Sequence, residues 1–140
     1  MPGKHGDWCD DENLLYASSH QSPCFPGTGA TPGFSGPHGT ILSAPLPPGA
    51  GSDLFRAAWS GAMWRAVQDF RPEAVFLSAG FDAHAEDPLA GLALVDDDFG
   101  WVTEQVTALG VPIVSVLEGG YNVDALCRAA RQHVEALIRS

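Results

Sequence analysis

The sequence predicts an α/β domain built on parallel strands. From residue 53 onward helix-like and strand-like segments alternate as helix, strand, helix, strand, helix. Right-handed crossovers between parallel strands produce that order. Two of the segments, AVFLSA at 74–79 and PIVSVL at 112–117, are continuous apolar runs rather than alternating ones, which suits strands buried on both faces. Each run stops at a glycine-bearing polar turn, and in such sheets ligands bind beyond the carboxyl ends of the strands.

The elements can be justified in chain order. Residues 14–18 (LLYAS) form a short apolar run, read as a buried strand. Seven Gly and seven Pro then fall between His20 and Ser52. A loop this long is uncommon in a compact domain unless it has a function, and residues 41–44 are expected to form a brief strand inside it. Ser52 is placed to cap the next helix, with Asp53 at its positive end. Leu54, Phe55, Ala58, Trp59, Ala62, Met63, Ala66, Val67 and Phe70 recur at three- and four-residue spacing. They predict one amphipathic helix that ends before Pro72, its stripe packing as core.

Asp96, Asp97 and Asp98 open the following helix, where acids complement the helix dipole. Phe99, Val102, Val106 and Leu109 continue its apolar face, and Gly110 with Pro112 ends it. After the 112–117 strand, Asn122 or Asp124 caps a last helix. Val123, Leu126, Cys127, Ala130, Val134, Leu137 and Ile138 are expected to face inward there. Cys127 is thus read as a buried small apolar residue.

Composition narrows the function. The 140 residues are 45% hydrophobic, enough for one core, and carry 7 basic against 17 acidic residues, a net charge of −10. Phosphate backbones need clustered Lys and Arg, so a nucleic-acid surface is not expected, and an anionic membrane is disfavoured for the same reason. No apolar run is long enough to span a bilayer, and the N-terminus lacks a secretory h-region. Cys9, Cys24 and Cys127 form neither a CxxC pair nor a disulfide framework, which fits a cytoplasmic setting.

Chemistry-bearing residues sit at three strand ends. The first is followed by Ser18-Ser19-His20-Gln21 and then Phe25-Pro26-Gly27, the second by Gly80-Phe81-Asp82-Ala83-His84 and Asp87-Pro88-Leu89-Ala90-Gly91. The third is followed by Glu118-Gly119-Gly120-Tyr121-Asn122. Taken singly each has a plain reading, Asp as a turn cap, Gly-Gly as a turn and Tyr as a wall. A nucleotide-binding domain is disfavoured, because neither GxGxxG nor a Lys-bearing phosphate loop is present.

Together, LYASSHQSPCFPGTG, PLPPGAG, FLSAGFDAHAEDPLAGL and VLEGGYN resemble the zinc-dependent histone deacetylase family, which includes bacterial acetylpolyamine amidohydrolases and acetoin-utilisation-type deacetylases. The resemblance runs from about Trp8 to Ile138. It implies the arginase–deacetylase three-layer α/β sandwich with a parallel sheet, here truncated on its N-terminal side. It also implies hydrolysis of acetyl-lysine or acetylpolyamine-type amides at a zinc ion.

Residue by residue, Asp82 matches an aspartate zinc ligand and Tyr121 the tyrosine that stabilises the oxyanion. Gly119 and Gly120 match glycines shaping the pocket floor, Phe25 an aromatic wall of the acyl channel, and His84 a residue at the site mouth. Ser18 and Ser19 match positions near a monovalent-cation site, expected to hold K+. The family's Asp-x-Asp-x-His-His-Gly-Asn-Gly block, expected just before Trp8, and its upstream His-His dyad are absent from the sequence. His5 followed by Gly6 does not reproduce the block, and His5, His20 and His84 are not expected to rebuild a zinc site around Asp82. The chain is therefore expected to be the C-terminal part of a deacetylase domain over 1–140, inactive by itself. A homo-oligomer or a complementing N-terminal polypeptide is its expected partner; the alternative is a non-catalytic binding or oligomerisation module.

Overall fold

The computed structural model describes residues 10–24 and 31–139. Strands β1 (Tyr16–Gln21), β2 (Gly33–Ser35) and β3 (Ile41–Leu46) come first. Helices α1 (Ser52–Ala58) and α2 (Ala62–Phe70) follow, then β4 (Val75–Ala79), α3 (Asp96–Thr107), β5 (Ile113–Leu117) and α4 (Val123–Ile138). β1 pairs with β3 in parallel and β4 with β5 in parallel, while β2 is antiparallel to β3. The expected α/β class with parallel strands is what the chain adopts. Among the described residues, however, the strands form two sheets rather than one, β1-β3-β2 and β4-β5.

Local differences from expectation have local causes. The first strand is shifted to 16–21, and the proline- and glycine-rich stretch holds two strands instead of one. The helix expected over 53–70 breaks at Trp59–Gly61, where Ser60 and Gly61 are poor helix formers. The corner is tight: a Cβ on Gly61 would lie 3.1 Å from the Ala57 carbonyl oxygen. Gly51, not Ser52, takes the cap position of α1. The Ser52 hydroxyl instead donates to the Asp98 carboxylate. α2 stops as expected before Pro72, with Arg71 left-handed at φ 53°.

Two buried clusters hold the elements together. Phe55, Phe81, Leu92, Leu94, Phe99 and Ala129 pack in one; Leu42, Met63, Trp64, Val67 and Val106 in the other. Each large apolar side chain fully buried in this way contributes roughly 1.5–3 kcal/mol. The second cluster is the joint between the sheets: Ala17 of β1, Ala44 of β3, Val75 and Leu77 of β4 and Ile113 of β5 all pack against it. The stripe with Trp59 and Met63 is therefore core, although Leu54 at its outer end is half-exposed.

The continuous apolar runs are not buried on both faces. Phe76 is 78% exposed, and Val114, Val116 and Leu117 are each more than half exposed. Phe76 lies opposite Val114 in the ladder, so they form one apolar surface. α4 also turns differently from expectation. Ala125, Ala129, His133 and Ala136 face inward, whereas Val123, Cys127, Val134 and Ile138 are exposed. The inward face is set by close packing on α3, where small alanines allow the approach. Cys127 is thus a surface thiol, which corrects its reading as buried.

Candidate active site

The strand ends converge on one loop, residues 80–95. The Gly49 N–H donates to the Gly91 carbonyl at 2.6 Å, and the Ala93 N–H to the Ala50 carbonyl at 2.8 Å. The Gly91 N–H donates to Oε1 of Gln21, the last residue of β1, at 2.7 Å. Beyond β4 and β5 the parallel pairing continues briefly, with the Phe81 N–H donating to the Gly119 carbonyl at 2.8 Å. This brings the Asp82 turn and the Gly119-Gly120-Tyr121 turn side by side.

Asp82 lies against the glycine turn. A Cβ on Gly119 would come within 2.7 Å of Asp82 Oδ2, and one on Gly80 within 3.2 Å of Oδ1. Gly119 is required here by the closeness of a carboxylate. Gly120 is required by a backbone at φ +141°, with Phe81 and Leu126 filling the space a side chain would need. Among the described residues the Asp82 carboxylate has neither a hydrogen bond nor an ion pair, although it is only half-buried. Tyr121, next in the turn, is 56% exposed and available to a ligand.

The turn is braced by Asp87, a buried residue that the sequence offers singly only as a turn cap. Its Oδ1 accepts from the Leu89 and Ala90 N–H groups at 2.8 and 3.3 Å, and its Oδ2 accepts from the Tyr121 N–H at 2.9 Å. Asn122 adds a second tie, donating from Nδ2 to the Glu86 carbonyl at 3.0 Å while its Oδ1 caps α4 by accepting from the Ala125 N–H. The alternative between Asn122 and Asp124 as cap is thus resolved in favour of Asn122. The Asp-Pro pair at 87–88 signals a side-chain-stabilised turn, but nothing local points to residue 121.

The remaining candidates separate. His84 is buried, with both ring nitrogens engaged: Nδ1 accepts from the Glu86 N–H at 3.0 Å, which leaves Nε2–H to donate to Asp96 at 2.9 Å. Its ring thereby ties the 80–95 loop to the start of α3. The Ser19 hydroxyl accepts from Trp59 Nε1–H at 3.0 Å, and the Ser18 hydroxyl lies 3.1 Å from His20 Nδ1. Phe25, His5, Trp8 and Cys9 lie outside the described residues.

Charge at the rim is balanced by Arg128. It donates to Glu86 at 2.7 Å and to Asp96 at 3.0 Å, and the hydrogen bonds to Glu86 and then Asp96 hold its guanidinium above its ordinary pKa. Such exposed pairs add little stability; they tie α4 to the 80–95 loop. Among the described residues no three His, Cys, Asp or Glu side chains form a group that could hold a metal ion. Catalytic zinc takes about three protein ligands. The described residues therefore do not complete a zinc site by themselves.

The Histone deacetylase domain family matches this chain over residues 3–137. Histone deacetylase 10, chloroplastic, from Oryza sativa subsp. japonica is 34% identical over 136 residues, covering 92% of this chain and 31% of that protein. The histone deacetylase-like amidohydrolase of Pseudomonas aeruginosa is 36% identical over 124 residues, covering 79% of this chain and 31% of that protein. The crystal structure of an acetylpolyamine aminohydrolase from Burkholderia pseudomallei superposes with a TM-score of 0.82 at 30% identity, over 94% of this chain and 40% of that one. The chain spans about two fifths or less of the length of these relatives. With parallel strands ending in these turns and a match over nearly its whole length, the chain belongs to the histone deacetylase domain family.

Proposed function

We propose that this chain supplies one wall of a zinc-dependent deacetylase site that hydrolyses acetyl-lysine or acetylpolyamine-type amides. Asp82 is one metal ligand there and the Tyr121 phenol donates to the developing oxyanion. The observation that carries this reading is the Asp82 carboxylate held against Gly119, two residues from an exposed Tyr121. A hydrogen-bond donor aimed at developing negative charge is worth a hundredfold or more, roughly, in rate. Zinc, when bound, would polarise the amide carbonyl. The chain's own residues do the rest: Asp82 offers a carboxylate oxygen, Gly119 and Gly120 form the floor, and Tyr121 orients the carbonyl. Phe25 lines the acyl channel, His84 supports the mouth, and the Ser18 and Ser19 backbone oxygens serve a K+ site.

Over 1–140 the chain by itself is expected to be inactive, because its sequence contains neither the family's other zinc-ligand block nor the His-His dyad. The test is zinc titration by calorimetry together with an acetyl-lysine fluorogenic peptide. The expected result is weak zinc binding and no turnover from the chain alone. Activity should appear when a polypeptide bearing the Asp-x-Asp-x-His-His-Gly-Asn-Gly block is refolded with it. Stoichiometric zinc and turnover by the chain alone would overturn the inactive-fragment reading. A second reading, a non-catalytic binding or oligomerisation module, is favoured by the exposed face of β4 and β5. It stands if the complemented protein binds zinc yet cleaves no acetylated amide.

A further inference from the structure

We propose that Asp87 is the positioning residue for Tyr121, so that one carboxylate fixes the spatial relation between the 80–95 loop and the glycine turn that carries the tyrosine. This rests on the reading of Tyr121 as the oxyanion donor. A carboxylate is acceptor-only and presents two oxygens, and here each has a separate task. Oδ1 accepts the Leu89 and Ala90 N–H groups and closes the loop on itself. Oδ2 crosses 34 residues of sequence to accept the Tyr121 N–H at 2.9 Å. The loop is anchored in turn to the ends of β1 and β3 through Gly91 and Ala93. Asp87 therefore transmits the position of one sheet to a residue at the end of the other.

The geometry explains why an acid is needed rather than an amide. Asparagine has the same shape but only one oxygen. If that oxygen keeps the Leu89 and Ala90 N–H groups, its NH2 faces the Tyr121 N–H, donor against donor. If it turns to Tyr121, the loop loses its closure. On its N-terminal side Tyr121 follows the flexible pair Gly119-Gly120, and on its C-terminal side Asn122 is tied to the Glu86 carbonyl, so the Asp87 bond is the one made by the backbone of Tyr121 itself to the loop.

The experiment uses the 140-residue chain itself. The chain contains two tyrosines, Tyr16 and Tyr121, so 3-fluorotyrosine labelling gives two fluorine resonances, assigned by Tyr121→Phe. In Asp87→Asn the Tyr121 resonance should move or broaden while that of Tyr16 stays fixed. Amide exchange at Tyr121 should quicken about tenfold, the loss of one charge-assisted hydrogen bond, with α3 and α4 amides unchanged. Asp87→Glu, which keeps two oxygens, should restore part of the protection. Unchanged Tyr121 exchange and resonance in a folded Asp87→Asn protein would overturn the proposal. So would equal acceleration at every amide, which means general destabilisation. These readouts need neither zinc nor turnover, so failure of the deacetylase reading leaves them intact and the two fail separately.

Discussion

The His133 imidazole sits in a directed chain of hydrogen bonds. Thr103 Oγ1 donates its one proton to the Phe99 carbonyl at 2.6 Å, so it must accept from His133 Nδ1–H at 2.7 Å. Nε2 is then an acceptor for the Ser115 hydroxyl at 2.8 Å. The ring is neutral, and burial pushes its pKa below the ordinary 6.5. With that sign, the unfolded chain binds the proton more readily than the folded one, so stability is full above about pH 6.5 and falls on acidification below it. Because other groups also titrate, the check is a comparison with His133→Gln. Its stability deficit, measured by urea unfolding, should shrink between about pH 7.5 and pH 5.5. A deficit that stays constant would show that His133 is not the source. Gly119→Ala gives a second test at this scale. A Cβ 2.7 Å from Asp82 Oδ2 forces the carboxylate aside, at a cost of about 1–3 kcal/mol in stability. Loss of what zinc affinity the chain retains should accompany it, read by calorimetry.

Among the elements, α3 is the clearest case of an interaction with more than one task. The three acids at its start suggest a dipole effect, yet only Asp97 is left simply facing solvent. Asp96 pairs with His84 and Arg128. Asp98 is fully buried and accepts from the Val95 N–H at 3.0 Å, the Ser52 hydroxyl at 2.7 Å and Arg56 Nε at 2.7 Å. The carboxylate caps its own helix and pins α1 to it, with Arg56 lying over the Trp101 ring. Asp98→Ala should cost about 2–4 kcal/mol, since a cap and two further hydrogen bonds go together. The urea midpoint should fall with the slope unchanged. A loss below about 0.5 kcal/mol, the size of an ordinary surface change, would contradict this role. Periodicity located α3 and its apolar face well. It had no means of showing that Asp98 lies inside, because Ser52 and Arg56 are 46 and 42 residues away.

At the scale of the molecule, the helices cover the inner face of β4 and β5 and leave Phe76, Val114 and Val116 outward. A contiguous apolar surface on an open sheet favours association. The chain alone should self-associate with rising concentration in sedimentation velocity. Phe76→Lys, at a position 78% exposed, should reduce that association while altering stability by no more than about 0.5 kcal/mol. A chain that stays monomeric at all concentrations would argue that this face needs no partner. The two sheets meet through the cluster around α2 and through the 80–95 loop, and the chain spans two fifths or less of its relatives' length.

The sequence by itself determined the α/β class, the order of most elements and the three strand-end turns. Those features rest on short-range periodicity, on Gly and Pro punctuation and on residue types such as Gly119-Gly120-Tyr121 that read without a neighbour. The tertiary structure decided what depends on distant partners. The break between α1 and α2, the split into two sheets, the turn of α4 that exposes Cys127, and the sequestering of His84 all follow from contacts across the chain. The Asp87 brace is the sharpest instance. Its turn is legible in Asp-Pro, but its second oxygen meets Tyr121 only because parallel pairing of β4 and β5 brings two loops together. Local pattern specifies which way a strand or helix tends to form; which carboxylate ends up against which N–H is a property of how the elements pack.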